Sequence, residues 1–201
     1  MDTPEDIARE ESYAELVDQI SKEAIDQFTF ERLRSYYLNN KSLATKAVAV
    51  FREAQSLEST SPSAATVLFT TSIELCLKVA LLKPVIYGLV HNESVADLIS
   101  DLSVKHNGFD RFKPLLARIL AEYGGIDFNA FTIEGHTKTL WEELTVLQDA
   151  RNALVHRGEL TSVDTAKLAG EVATMIIGTY FVSVLNGLGL KYIKGGSIEN
   201  A

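Results

Sequence analysis

The sequence predicts an all-α protein, an up-and-down helical bundle carrying an extra N-terminal helix. Three observations lead there. Apolar residues recur three and four apart along most of the chain, the period that gathers them on one helix face. No stretch alternates apolar and polar residues over a strand's length between turn residues. Proline, glycine and small hydroxyl residues fall where helices begin and end. Read this way, the chain divides into an N-terminal helical extension at 1–40, a bundle at 41–190 and a flexible tail at 191–201. It contains no internal repeat and no low-complexity block.

The elements follow in order. Thr3, Pro4, Glu5 and Asp6 spell a helix start: a cap, a proline at the first helical position, then acids facing the positive end of the dipole. Ile7, Tyr13, Leu16, Val17, Ile20 and Ile25 continue at helical spacing to about Asn39, with a break expected near Phe28. A second helix is predicted from about Ser42 to Leu57, and the turn Ser59–Ser63 opens a third, nearly all apolar, from Ala64 to about Leu82. Pro84 is expected to end or kink it, because proline lacks an N–H and its ring clashes with the preceding turn. Shorter helices are predicted from Ser94 to Leu102 and from Phe109 to Tyr123, the latter closed by Gly124 and Gly125. Residues 126–135 read as a loop, and His136 to His156 as a long amphipathic helix that stops at Gly158. Thr161 or Ser162 caps the last helix, which runs to about Leu185, and Lys194–Ser197 is expected to fray. The core should form around the two most apolar helices, near 64–82 and 163–187.

Composition narrows the function classes. With 46% hydrophobic and 23% charged residues, the chain can bury a core as one domain, which rules out disorder throughout. Cys76 is the single cysteine, so no internal disulfide forms; this suits the reducing cytoplasm, and its apolar surroundings predict a buried, inert thiol. The acidic first residues lack the basic and apolar segments of a signal peptide. A net charge of -8 provides no global field for polyanions, so any such binding must be local. That argues against a DNA-wrapping protein and leaves room for an enzyme that handles one or two phosphates. Val172–Leu190 is uncharged and long enough to span a bilayer. Its Thr174, Thr179, Ser183 and Asn186, its three glycines and flanks without a strong Lys/Arg bias make it a buried bundle helix instead, and no membrane partner is expected.

The segment from Trp141 to Gly158 carries the chemistry. Leu140, Leu144, Leu147, Leu154 and Val155 form one apolar stripe, and Arg151 falls in its middle. An arginine there needs an acid, an interface or an anion, since an unpaired buried charge is costly. Asn152 and His156 lie four apart, one above the other, with Asp149 on the same side. The helix C-terminus favours a protonated imidazole, and Gly158 lets the chain turn just past it.

Arg151-Asn152-x-x-x-His156 resembles the Arg-polar-x-x-x-His signature of HEPN domains, the higher-eukaryote and prokaryote nucleotide-binding family. The apolar helix with one acid, Ser72-Ile73-Glu74-Leu75-Cys76-Leu77-Lys78, is similar to the helix that precedes this signature in many of them. The resemblance covers about residues 41–187, so the bundle would be of HEPN type. It implies a metal-independent endoribonuclease without cofactors that leaves a 2′,3′-cyclic phosphate, usually a homodimer whose two signatures share a cleft. It suggests a defence or toxin setting, with RNA as substrate and an antitoxin or regulatory protein as partner. Carried over, His156 would activate the ribose 2′-OH or protonate the leaving oxygen. Arg151 would hold the scissile phosphate, Asn152 would orient the histidine or the phosphate, and Glu74 and Arg157 would support them. One branch, paired with nucleotidyltransferase antitoxins, carries a tyrosine two residues after the histidine; here that position is Gly158.

Plainer readings stand beside this one. Arg151, Asn152 and His156 would also suit a structural helix end, the arginine bound to a buried acid and the histidine capping carbonyls. Glu74 would pair either with Lys78, four residues on, or across the bundle with Arg151. His91, His106 and His136 lack ligand spacing, so no metal site is expected. No glycine-rich phosphate loop, Gly-x-Ser-x-Gly or Cys-x-x-Cys occurs. The functional alternatives are a non-catalytic HEPN-type module that binds nucleotide, RNA or protein, and an unrelated interaction scaffold. If His156 and Arg151 open onto a concave, solvent-reachable cleft, the enzyme reading gains; if packing seals both, the scaffold reading does.

Overall fold

The computed structural model describes residues 4–90, 92, 94–99, 113–193 and 197–201, with side chains from residue 15 onward. Thr3, His91, His106, the expected ends at Leu102 and Phe109, and Lys194–Gly196 lie outside the described residues. Seven helices pack together and a small C-terminal hairpin closes the chain.

The first helix, α1 (Pro4–Asn39), is continuous, and the break expected near Phe28 does not occur. No proline or glycine falls between Glu5 and Asn39, and the Thr29 hydroxyl is satisfied by donating to the Ile25 carbonyl at 2.9 Å. Among its described side chains, burial begins at Thr29. Leu33 and Tyr37 are buried, and the Tyr37 hydroxyl donates to the Ala80 carbonyl at 2.6 Å. Residues 15–28 are exposed, including Leu16, Val17, Ile20, Ile25 and Phe28.

After α2 (Thr45–Leu57) the chain enters α3, which extends from Pro62 to Leu89. Pro84 does not end it. The backbone widens into a π-helical segment at Cys76–Leu82 and returns to α-helix at Lys83–Leu89, with Pro84 in the first turn of the resumed helix. The shifted register accommodates a residue that has no N–H to donate. A short α4 spans 94–99, followed by α5 (Lys113–Gly124), α6 (Leu140–Arg157) and α7 (Val163–Gly187). The last of these has its own π-helical segment at Met175–Tyr180.

The core lies where the two most apolar helices meet, as the sequence predicts. Phe69, Ile73, Cys76 and Leu77 of α3 and Ala166, Ala169, Val172, Ala173 and Ile176 of α7 are all fully buried. Burial of this kind is the main favourable term in folding, about 25 cal/mol per Å² of apolar surface. Both helices are long and apolar enough to cross a membrane, and 67% and 56% of their most apolar windows are buried by the other elements. Gly187 sets the fit at the end of α7, because a Cβ there would lie 1.8 Å from the Tyr123 carbonyl oxygen.

The expectation of a purely helical chain with a flexible tail is corrected at the C-terminus. Strands β1 (Leu190–Ile193) and β2 (Ser197–Asn200) pair antiparallel, with Tyr192 opposite Ile198. Leu190 and Ile198 are fully buried, the Ile198 N–H donates to the Lys41 carbonyl at 3.1 Å, and Arg34 Nη2 donates to Asn200 Oδ1 at 2.7 Å. Two apolar anchors and these long-range bonds hold residues 190–193 and 197–200 against the bundle.

Candidate functional site at the end of helix α6

Helix α6 starts at Leu140 rather than His136, because Thr139 and Glu142 form a reciprocal capping box. The Glu142 N–H donates to Thr139 Oγ1 at 3.4 Å and the Thr139 N–H to Glu142 Oε2 at 2.7 Å. The Thr139 N–H, with the Thr139 hydroxyl that donates to the same oxygen at 2.9 Å, holds the Glu142 carboxyl below its usual range. His136, just outside the helix, bridges two acids: Nδ1 lies 3.4 Å from Glu143 Oε1 and Nε2 lies 3.2 Å from Glu171 Oε2 on α7. Glu143 is nearly buried. This histidine therefore ties the start of α6 to α7. Among the described residues, no group of three or more His, Cys, Asp or Glu side chains is placed to hold a metal ion.

The first half of α6 is anchored. Leu140, Leu144 and Leu147 are buried, and Trp141 packs edge-on to Phe128 with the Lys113 ammonium 4.9 Å from its ring centre. The second half is not. No residue from Gln148 to Arg157 is buried, although Ala150, Ala153, Leu154 and Val155 continue the apolar stripe. Val155 is 51% exposed, and Leu160 and Val163 beyond the helix are exposed as well.

The signature residues sit on this half. Arg151 and Asn152 are half-buried and His156 is exposed, so packing seals none of them. Arg151 Nη1 donates to Asn152 Oδ1 at 3.1 Å. No ion pair among the described residues joins Arg151 to a carboxylate, and the expected partnership with Glu74 does not form. The guanidinium lies near enough to solvent to do without a buried acid. Glu74 does not pair with Lys78 either. Lys78 is buried, Glu74 is half-buried, and the π-helical segment that begins at Cys76 displaces the two from regular i,i+4 stacking.

The helix end is shaped by Gly158, whose φ of 70° is the left-handed conformation that favours glycine. Its N–H donates to the Leu154 carbonyl at 3.0 Å, and the next N–H, of Glu159, reaches the Ala153 carbonyl at 3.4 Å. Glu159 is thereby carried back to Arg157: Nε lies 2.5 Å from Oε1, and Nη2 donates to Oε2 at 3.4 Å. The hydrogen bond and charge of Glu159, with a further contribution from Asp149, raise the Arg157 pKa, and Arg157 holds the Glu159 carboxyl below its usual range. The sequence reading missed Glu159. Its signal is the acid that follows a helix-ending glycine and a basic residue.

A cavity of about 510 Å³ lies between α2, α3 and α7, lined by Glu58, Phe69, Ile133, Lys167, Glu171 and Met175 among others, and holds none of the signature residues. Compared with protein-family models, with curated proteins and with solved structures, the chain matches none of them.

Proposed function

We propose that this protein is a metal-independent endoribonuclease of the HEPN type, acting as a homodimer. The observation that supports this most is that a half-buried Arg151, joined to no carboxylate among the described residues, and an exposed His156 both lie on the half of α6 that has no buried residue. A structural helix end would have its arginine neutralised and its histidine packed. The unburied Leu154 and Val155 give a second copy an apolar surface beside the two signatures. Two copies supply two histidines, one to take the ribose 2′-OH proton and one to protonate the departing 5′ oxygen. The 2′ oxygen attacks phosphorus, the P–O5′ bond breaks, and a 2′,3′-cyclic phosphate and a 5′-OH result. Arg151 grips the non-bridging oxygens as charge develops, and Asn152 holds its fork in place. The same reading places the protein in the cytoplasm, with RNA as substrate and an antitoxin or regulatory protein as partner.

Incubation of wild type and His156→Ala with total RNA and with tRNA, in EDTA, tests the proposal. One observation favours the alternative of a non-catalytic binding module: among the described residues, none hydrogen-bonds His156 in a way that would fix its tautomer. Binding of RNA without cleavage by the wild type would select that alternative.

A further inference from the structure

The residue next to His156 is an arginine whose fork is already occupied. Arg157 presents Nε and Nη2 to the two oxygens of Glu159, at 2.5 and 3.4 Å, the side-by-side arrangement in which guanidinium also takes phosphate. The contact follows from the backbone: the left-handed turn at Gly158 and the Glu159 N–H bond to Ala153 return the carboxylate to the helix it has just left. Asp149, on the preceding turns, adds a second negative charge near the same guanidinium. In a chain of net charge -8, cations near the signature are few, and this one is screened by its own acids.

We propose that Glu159 is an internal phosphate mimic that latches Arg157, and that a phosphate of bound single-stranded RNA displaces it. The inference rests on the nuclease reading for the identity of the polyanion, and it concerns regulation of the same site. The pair is suited to opening. Its side chains are 65% and 60% exposed, so water and salt screen it, and a strand carrying a phosphate on every nucleotide competes effectively. Released from Glu159, Arg157 grips a phosphate flanking the scissile one while Arg151 holds the latter. A strand long enough to engage both is favoured over a mononucleotide.

The test is binding of a short 2′-O-methyl single-stranded RNA, which lacks the nucleophilic hydroxyl, to the full-length protein, followed by fluorescence anisotropy. Glu159→Gln should tighten binding by about two- to fivefold, the size of a released exposed pair. Arg157→Ala should weaken it, and Arg157→Ala/Glu159→Gln should bind like Arg157→Ala alone, because no arginine remains to be freed. An unchanged affinity for Glu159→Gln overturns the latch. So does an equal gain in the Arg157→Ala background, which would show only the loss of one negative charge. Far-UV circular dichroism confirms that each variant is folded. If the wild type binds this RNA with the latch pattern but cleaves no unmodified RNA, the latch stands and the nuclease reading falls. If it cleaves while Glu159→Gln changes nothing, the reverse holds. If neither wild type nor Glu159→Gln binds RNA, both fall.

Discussion

Arg151 donates to the side-chain carbonyl of its own neighbour, Asn152, at 3.1 Å, and reaches no carboxylate among the described residues. This alters what its removal should do. Breaking a buried ion pair typically costs about 3–5 kcal/mol, because a charge is left behind. Arg151 leaves none, so Arg151→Ala should cost about 1 kcal/mol or less. A double-mutant cycle of Arg151→Ala with Glu74→Gln should show coupling near zero in urea melts. A coupling above about 1 kcal/mol would place the two side chains in contact.

His156 is exposed and, among the described residues, makes no bond that supports the fold. His156→Ala should therefore leave the helical spectrum and melting temperature unchanged while reducing RNA cleavage by about 10²–10⁴-fold, the usual loss for a general acid or base. Cleavage by the wild type should persist in EDTA and end in a 2′,3′-cyclic phosphate, and DNA should resist. Dependence on added Mg²⁺ would end this mechanism.

Leu154 and Val155 continue the stripe begun by the buried Leu140, Leu144 and Leu147, yet neither is buried. If this surface closes a two-fold dimer of more than about 1,000 Å², Leu154→Asp with Val155→Asp should shift light scattering from dimer to monomer without loss of helix. A wild type that is monomeric at every accessible concentration would count against the shared cleft.

Among the described residues, His136 is the one side chain within ion-pair distance of the nearly buried Glu143, and it also meets Glu171 on α7. His136→Gln should destabilise the chain by about 1–3 kcal/mol, because the Glu143 carboxylate loses its partner. Adding Glu143→Gln should return part of that loss. Chemical denaturation checks both, and independent effects of the two changes would show that the bridge contributes nothing.

Cys76 lies fully buried in the core, and burial pushes its thiol up from 9.0 to about 12. A thiol reagent should react with it in the unfolded protein and hardly at all in the native one. Because the folded pKa is the raised one, the stability linked to this group is present below pH 9.0 and is lost as pH rises toward about 12. A native thiol that reacts rapidly at neutral pH would contradict its burial.

Periodicity, caps and breakers made most of this chain legible in one dimension. They placed the two apolar helices that form the core, the capped start of α7 at Ser162 and the stop of α6 at Gly158, because each depends on residues within a turn or two. They also set His156 one turn beyond Asn152, since a spacing of four along a helix is already spatial proximity. The tertiary structure decided what depends on distant neighbours. Pro84 passes because a π-helical widening precedes it, and the tail becomes a hairpin because Ile198 finds Lys41 and a buried place. Arg151 remains without an acid for a related reason: its stripe outruns the core. The first half of that stripe is buried, and the second half, which carries the candidate site, is only partly covered. A sequence pattern reports which face of a helix is apolar, but not where along the helix the neighbouring surface ends.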